Sequence, residues 1–130
     1  MSLQVLDPAP LDALAEDLGN PVALASMLAT FCDSVLTLRA AAADAWTARD
    51  DDGLRQVLRD LAATAAMFGA GLLATTCRDL SGRIGDPARP LASSALQRLD
   101  EECSATRTAV HRYIASTAYD DARRRPTTVG

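Results

Sequence analysis

Lysine is absent from this chain, and all thirteen basic residues are arginine. Chemistry that runs through a lysine Schiff base or a P-loop lysine is therefore closed to it. Histidine is nearly absent too. His111 stands alone, which excludes a multi-histidine metal site and a relay through a second imidazole. Aromatic residues make up only 4% of the 130 residues, so a core has to be built from Leu, Val, Ile and abundant Ala. Cysteine is sparse and odd in number. Cys32, Cys77 and Cys103 form no C-x-x-C pair, the pattern of buried thiols in a reducing compartment rather than of a disulfide framework. The chain does not open with a basic segment followed by an apolar run, and no eighteen consecutive apolar residues occur. Neither a signal peptide nor a membrane span is expected, and the reading is cytoplasmic. An excess of basic charge is also missing. The net charge of −4 argues against nucleic acid, which needs a basic face.

What is present is a globular composition, 48% hydrophobic and 23% charged. Its punctuation is helical. Asp7-Pro8 offers an N-cap and a first-turn proline, Leu18-Gly19 a stop, and Asn20-Pro21 a second start. From Val22 to Ala48 nothing breaks a helix, and Leu24, Leu28, Phe31, Val35, Leu38, Ala42 and Trp46 recur at spacings of three and four. Asp50-Asp51-Asp52-Gly53 then caps a third helix with Leu54, Leu58, Leu61, Ala65 and Phe68 on one stripe. A fourth carries Leu73, Cys77, Leu80 and Ile84, and a fifth carries Leu96, Leu99, Cys103, Val110 and Ile114. Helices are predicted near 8–18, 21–48, 52–69, 71–84 and 89–118. The expected fold is all-α, an antiparallel up-down four-helix bundle with a short extra N-terminal helix. Residues 5–119 form the domain, and 1–4 and 120–130 flexible termini. Leu24, Phe31, Val35, Leu61, Phe68, Leu80, Leu99 and Val110 are expected to be buried.

The third helix carries the functional signal. Opposite its apolar stripe it presents Gln56, Arg59, Ala63, Ala66, Met67 and Ala70, one charge among small apolar side chains where a solvated face normally carries several charges. Ala simply filling space, or the first helix covering this face, would explain the pattern without function. A flat docking surface centred on Arg59 is the functional reading. Leu36, Ala29, Ala40 and Ala43 of the second helix would extend that patch if their side faces it.

The stretch Arg59-Asp60-Leu61-Ala62-Ala63-Thr64-Ala65-Ala66-Met67-Phe68-Gly69 resembles the signature of histidine-containing phosphotransfer (HPt) domains, His-x-Leu-Lys-Gly-Ser-Ala-x-x-Leu/Phe-Gly. Leu61, Ala65, Phe68 and Gly69 match, and Thr64 replaces the serine. Helix order and break positions extend the resemblance over roughly residues 5 to 118. The departures fall on functional positions: Arg59 stands where the family has its phosphoacceptor histidine, Ala62 where it has lysine, and Ala63 where it has glycine. A guanidinium stays protonated and offers no lone pair to a phosphoryl group.

The resemblance implies a two-component phosphorelay protein that keeps the docking surface and has lost the chemistry. Its surface is Arg59, Ala62, Ala63, Ala66, Met67 and Ala70. Its partner is a response-regulator receiver domain or a histidine kinase, and the chain is neither an enzyme nor a holder of a metal or cofactor. A monomer is expected. Two other readings stand beside it: a helical adaptor or dimerisation module unrelated to phosphorelay, and active phosphotransfer through another residue such as His111. That histidine lies off the core stripe of the last helix, where a boundary or exposed setting is expected. The acidic runs Asp50-Asp51-Asp52 and Asp100-Glu101-Glu102 read as solvated charge, and Arg123-Arg124-Arg125 as part of a frayed tail.

Overall fold

The computed structural model describes the backbone of residues 4–124 and the side chains of residues 4–117. Five helices make up its regular structure: α1 (Pro8–Leu18), α2 (Pro21–Thr47), α3 (Asp51–Met67), α4 (Gly71–Arg83) and α5 (Ser93–Arg124). No strand occurs among the described residues.

Each early boundary has a local chemical cause. The Asp7 carboxylate accepts from the Ala9 N–H at 3.1 Å, and the Asn20 side chain from Val22 at 2.9 Å. These bonds satisfy donors that a helix start leaves open, while Pro8 and Pro21 have no N–H to lose. Between the two starts Gly19, at φ +62°, lets its N–H turn back to Ala15. Asp50 caps α3 through Gly53 at 3.0 Å.

The fifth helix departs from expectation at both ends. It begins at Ser93 rather than near 89, because Asp86 and Pro90 organise a turn first. The Asp86 carboxylate accepts from Ala88 at 2.9 Å, the Arg83 guanidinium donates to the Pro90 carbonyl at 3.2 Å, and Pro90 disfavours helical backbone at Arg89. The helix then runs to Arg124 rather than stopping near 118. Nothing in Asp120–Arg124 breaks it, and the first breaker is Pro126. The remaining flexible-terminus expectation, for 1–3 and 125–130, lies outside the described residues.

The apolar stripes meet as the spacing requires. α2 packs on α3 and α5, α4 on α3 and α5, and α1 on α2. Leu24, Phe31, Val35, Leu61, Leu80, Leu99 and Val110 are buried. Phe68, expected among them, is half-buried, because it sits just past the end of α3 where the stripe runs out. Its ring still stacks on Phe31, with centroids 4.6 Å apart. Leu96 and Ile114 are likewise only partly buried. At the other end of α2, half-buried Trp46 lines a cleft with Leu54, Ile84 and Leu91. α2 is long and apolar enough to cross a membrane by length and composition. Here one face of it packs into the core on α3 and α5, and its exposed residues include Ser26, Thr30, Asp33, Thr37, Asp44 and Thr47.

The N-terminal segment is fastened over the α3–α4 turn. The Asp7 N–H donates to the Gly69 carbonyl at 2.8 Å, and Leu72 donates to the Gln4 carbonyl at 3.3 Å. Leu11 is fully buried beneath α1. A third tie reaches α5, where the Tyr113 hydroxyl donates to the Asp12 carboxylate at 2.6 Å. Burial first, and the Asp12 carboxylate second, push the Tyr113 phenol up to about 12. The folded state thus holds this proton more tightly than the unfolded chain, so its contribution is complete below about pH 10 and disappears as pH rises through about 12. Tyr113→Phe is expected to destabilise the fold by about 1 kcal/mol and to flatten the alkaline part of the stability curve between those values. Denaturant melts from pH 8 to 12 check this, and an unchanged alkaline limb in the variant would contradict it.

Candidate functional site

The outer face of α3 is built by the spacing that makes its inner face apolar. With Leu54, Leu58, Leu61 and Ala65 turned inward, Arg59, Ala63, Ala66 and Met67 are turned out and exposed. Met67 keeps 72% of its surface. Arg59 makes no ion pair among the described residues, and the neighbouring Gln56 amide is occupied with Asp60 at 2.9 Å. The face is thus a guanidinium above methyl groups, with a thioether at one end.

Two residues read as part of this surface are not on it. Ala62 is 5% exposed and Ala70 fully buried. Opposition to the core stripe of a single helix does not account for a neighbouring helix. Ala62 falls on the flank of α3 that packs against α4, the flank from which Arg55 reaches the Ile84 carbonyl at 3.5 Å. Ala70 lies beyond the end of α3, in the turn that the N-terminal segment covers. The first helix and its leader therefore shield part of the face, but they leave Arg59, Ala63, Ala66 and Met67 open.

The suggested extension onto α2 also falls away. Phe31 marks the α3 side of α2, whereas Arg39 pairs with Asp100 of α5 at 3.5 Å and Ala25 shares a cleft with Ile114 and Thr117. At 100° per residue, Ala29, Leu36, Ala40 and Ala43 lie on that α5 side, away from α3. What adjoins Arg59 is α4, with Arg78 exposed on its rim. Sequence reasoning missed Arg78 because its position matters only once α3 and α4 are laid side by side.

The remaining reactive groups are engaged, sheltered or remote from the Arg59 face. Burial pushes the thiols of Cys77 and Cys103 up to about 12 and raises that of Cys32, so all three stay protonated near neutrality. His111 is exposed on α5, which packs on α2 and α4, so it stands apart from the Arg59 face. The acidic runs separate into single tasks: Asp50 caps α3, Asp52 pairs with Arg55, Asp100 with Arg39 and Glu102 with Arg98. No group of three or more His, Cys, Asp or Glu placed to hold a metal ion occurs among the described residues.

A family model for the Hpt domain matches residues 26–109, well over half of the chain, with the Arg59 face at its centre. The chain belongs to the Hpt domain family. Hpt domains are helical carriers of phosphoryl groups in two-component phosphorelays rather than enzymes, and membership places this chain in that signalling class. The matched stretch begins inside α2 and ends inside α5, so α1, the segment before it and Tyr113 lie outside the part that the family model describes. No curated protein and no solved structure matches the chain.

Proposed function

We propose that this Hpt protein docks a response-regulator receiver domain through the open face of α3 without itself accepting a phosphoryl group. The observation that carries the reading is the state of Arg59. By the resemblance to the family signature it stands where the phosphoacceptor would be; it is exposed, has no ion-pair partner among the described residues, and has exposed Ala63, Ala66 and Met67 around it. A fixed cation on a small, flat, apolar face complements an acidic receiver pocket, and its role there is to occupy the pocket rather than to turn over phosphate. On this reading α2 to α5 form the antiparallel up-down bundle of residues 5–119, with α1 laid across it. The chain acts as a cytoplasmic monomer, and a histidine kinase presenting the same acidic chemistry is the other partner class.

The test is receiver binding by surface variants. Ala63→Glu and Ala66→Glu are expected to weaken binding by about 3 kcal/mol or more, since a carboxylate harmless in water is desolvated against the partner. Both positions are exposed, so helicity and melting temperature should hardly change. Arg59→Ala is expected to cost about 1–3 kcal/mol, and Arg112→Ala, exposed on α5, nothing measurable. Binding of both glutamate variants at the affinity of the unmodified protein would defeat the reading. Size that grows with concentration, lost in the same variants, would favour a dimerisation face instead.

A further inference from the structure

Two Arg-Asp pairs, Arg59-Asp60 on α3 and Arg78-Asp79 on α4, sit on adjoining helices. Consecutive residues on a helix point about 100° apart, so each pair is split. The carboxylates are turned away and engaged elsewhere. Asp60 accepts from Gln56 at 2.9 Å, and Asp79 lies 3.9 Å from Arg83 on the side of α4 that faces α5. Neither guanidinium has an ion-pair partner among the described residues, and both residues are exposed.

The two helices run back along each other from the short turn at 68–70, as the Arg55 to Ile84 contact requires. Four residues along α3 from that contact, Arg59 comes level with Leu80, and Arg78 lies half a turn away on the outer rim of the same groove. With helix axes 8–10 Å apart and a rise of 1.5 Å per residue, the two backbones are about 10 Å apart, within the joint reach of two arginines. Ala62 lines the groove between them and Ala66 its edge, so α3 itself puts nothing longer than a methyl group there.

We propose that Arg59 and Arg78 form a two-guanidinium cradle for a phosphoryl group, so that the docking face selects the phosphorylated form of its receiver partner. This rests on the receiver-docking reading above and adds to it the state of the partner. One guanidinium is enough for a carboxylate. Two uncompensated ones, in a chain of net charge −4, match a group that carries between one and two negative charges and offers three acceptor oxygens. The family signature places its supporting cation at position 62. Here that position is a buried alanine facing the same groove, and the neighbouring helix supplies a cation from its opposite wall. The cradle holds the acyl phosphate and takes nothing from it, since neither guanidinium is a nucleophile.

Two measurements on the full chain separate this proposal from the reading beneath it. In the first, inorganic phosphate is titrated into protein with labelled arginine side chains. The Nε–H resonances of Arg59 and Arg78 should shift together with one dissociation constant, and Arg78→Ala should weaken the response at Arg59 at least fivefold. Resonances that stay still, or that titrate independently, would overturn the cradle whatever the receivers do. In the second, a panel of receiver domains is offered unloaded and loaded with beryllofluoride, which mimics the acyl phosphate. The loaded form should bind at least tenfold more tightly, and that ratio should fall below twofold in Arg78→Ala while Arg112→Ala keeps it. Equal binding of the two forms, or a ratio that survives in Arg78→Ala, refutes the selectivity. Binding of neither form removes the docking reading, and the phosphate titration then decides the anion site alone.

Discussion

Gly69→Ala is expected to lower stability by roughly 3 kcal/mol and the melting temperature by about 10 °C. Gly69 has φ +81°, and left-handed backbone costs an ordinary residue about 1–2 kcal/mol. A Cβ there would also sit 2.5 Å from the Asp7 carbonyl oxygen, so the leader that bonds to Gly69 must move away. The two costs add, because the backbone strain is local and the displacement breaks a separate contact. Gly82→Ala supplies the opposite sign. That position lies within α4 with no atom within 4 Å of a built Cβ, and alanine there should gain about 0.5–1 kcal/mol. Thermal melts of the two variants decide the matter, and a Gly69→Ala melt within 2 °C of the unmodified protein would show that the leader is not fastened as described.

The second large effect is chemical. Neither the unmodified protein nor Arg59→His is expected to hold phosphate after incubation with a phosphorylated receiver, whereas Arg59→His, Ala62→Lys and Ala63→Gly together should. An imidazole alone supplies the nucleophile but leaves the product without a free cation on its own helix, since Arg55 is held by Asp52 and the Ile84 carbonyl, and Arg78 stands across a groove from it. Ala62 is 5% exposed and turned toward α4, so a lysine there has to run its stem along that groove to bring its ammonium to the surface. Glycine at 63 clears the approach. Acid-labile phosphate, mapped by mass spectrometry at neutral pH, is the measurement. Its appearance on His111 of the unmodified protein would overturn the view that the chain carries no phosphoryl group.

Where structure is decided within a few residues, the amino-acid order was enough to read it. Asp7-Pro8 and Asn20-Pro21 start helices because a side-chain oxygen and a missing N–H act on their own turn, and Leu24, Leu28, Phe31, Val35 and Ala42 are buried, with Leu38 partly so, because their spacing allows one inward face. The start of α5 escaped because the Asp86 turn draws on Arg83 from the helix before it. The outward setting of Arg59, Ala63, Ala66 and Met67 was legible, because their exposure follows from their own helix alone. It was misread at Ala62 and Ala70, whose surroundings come from α4 and from the leader. Arg78 belongs to the same class, since its partner across the groove lies nineteen positions earlier in the chain.

The placement of Trp46 has a practical consequence for following these events with light. It is the only indole in the chain, and it lies against Leu54 and Ile84 at the end of α2 remote from Phe31 and Phe68. Its emission should therefore report collapse of the whole helical core and remain silent when only the leader lifts from Gly69. Tyr113 sits at the other fastening point of α1, so in a Tyr119→Phe background absorbance near 295 nm, which follows phenol ionisation, should report that point with a rise near pH 12, while the indole signal changes only when the core gives way.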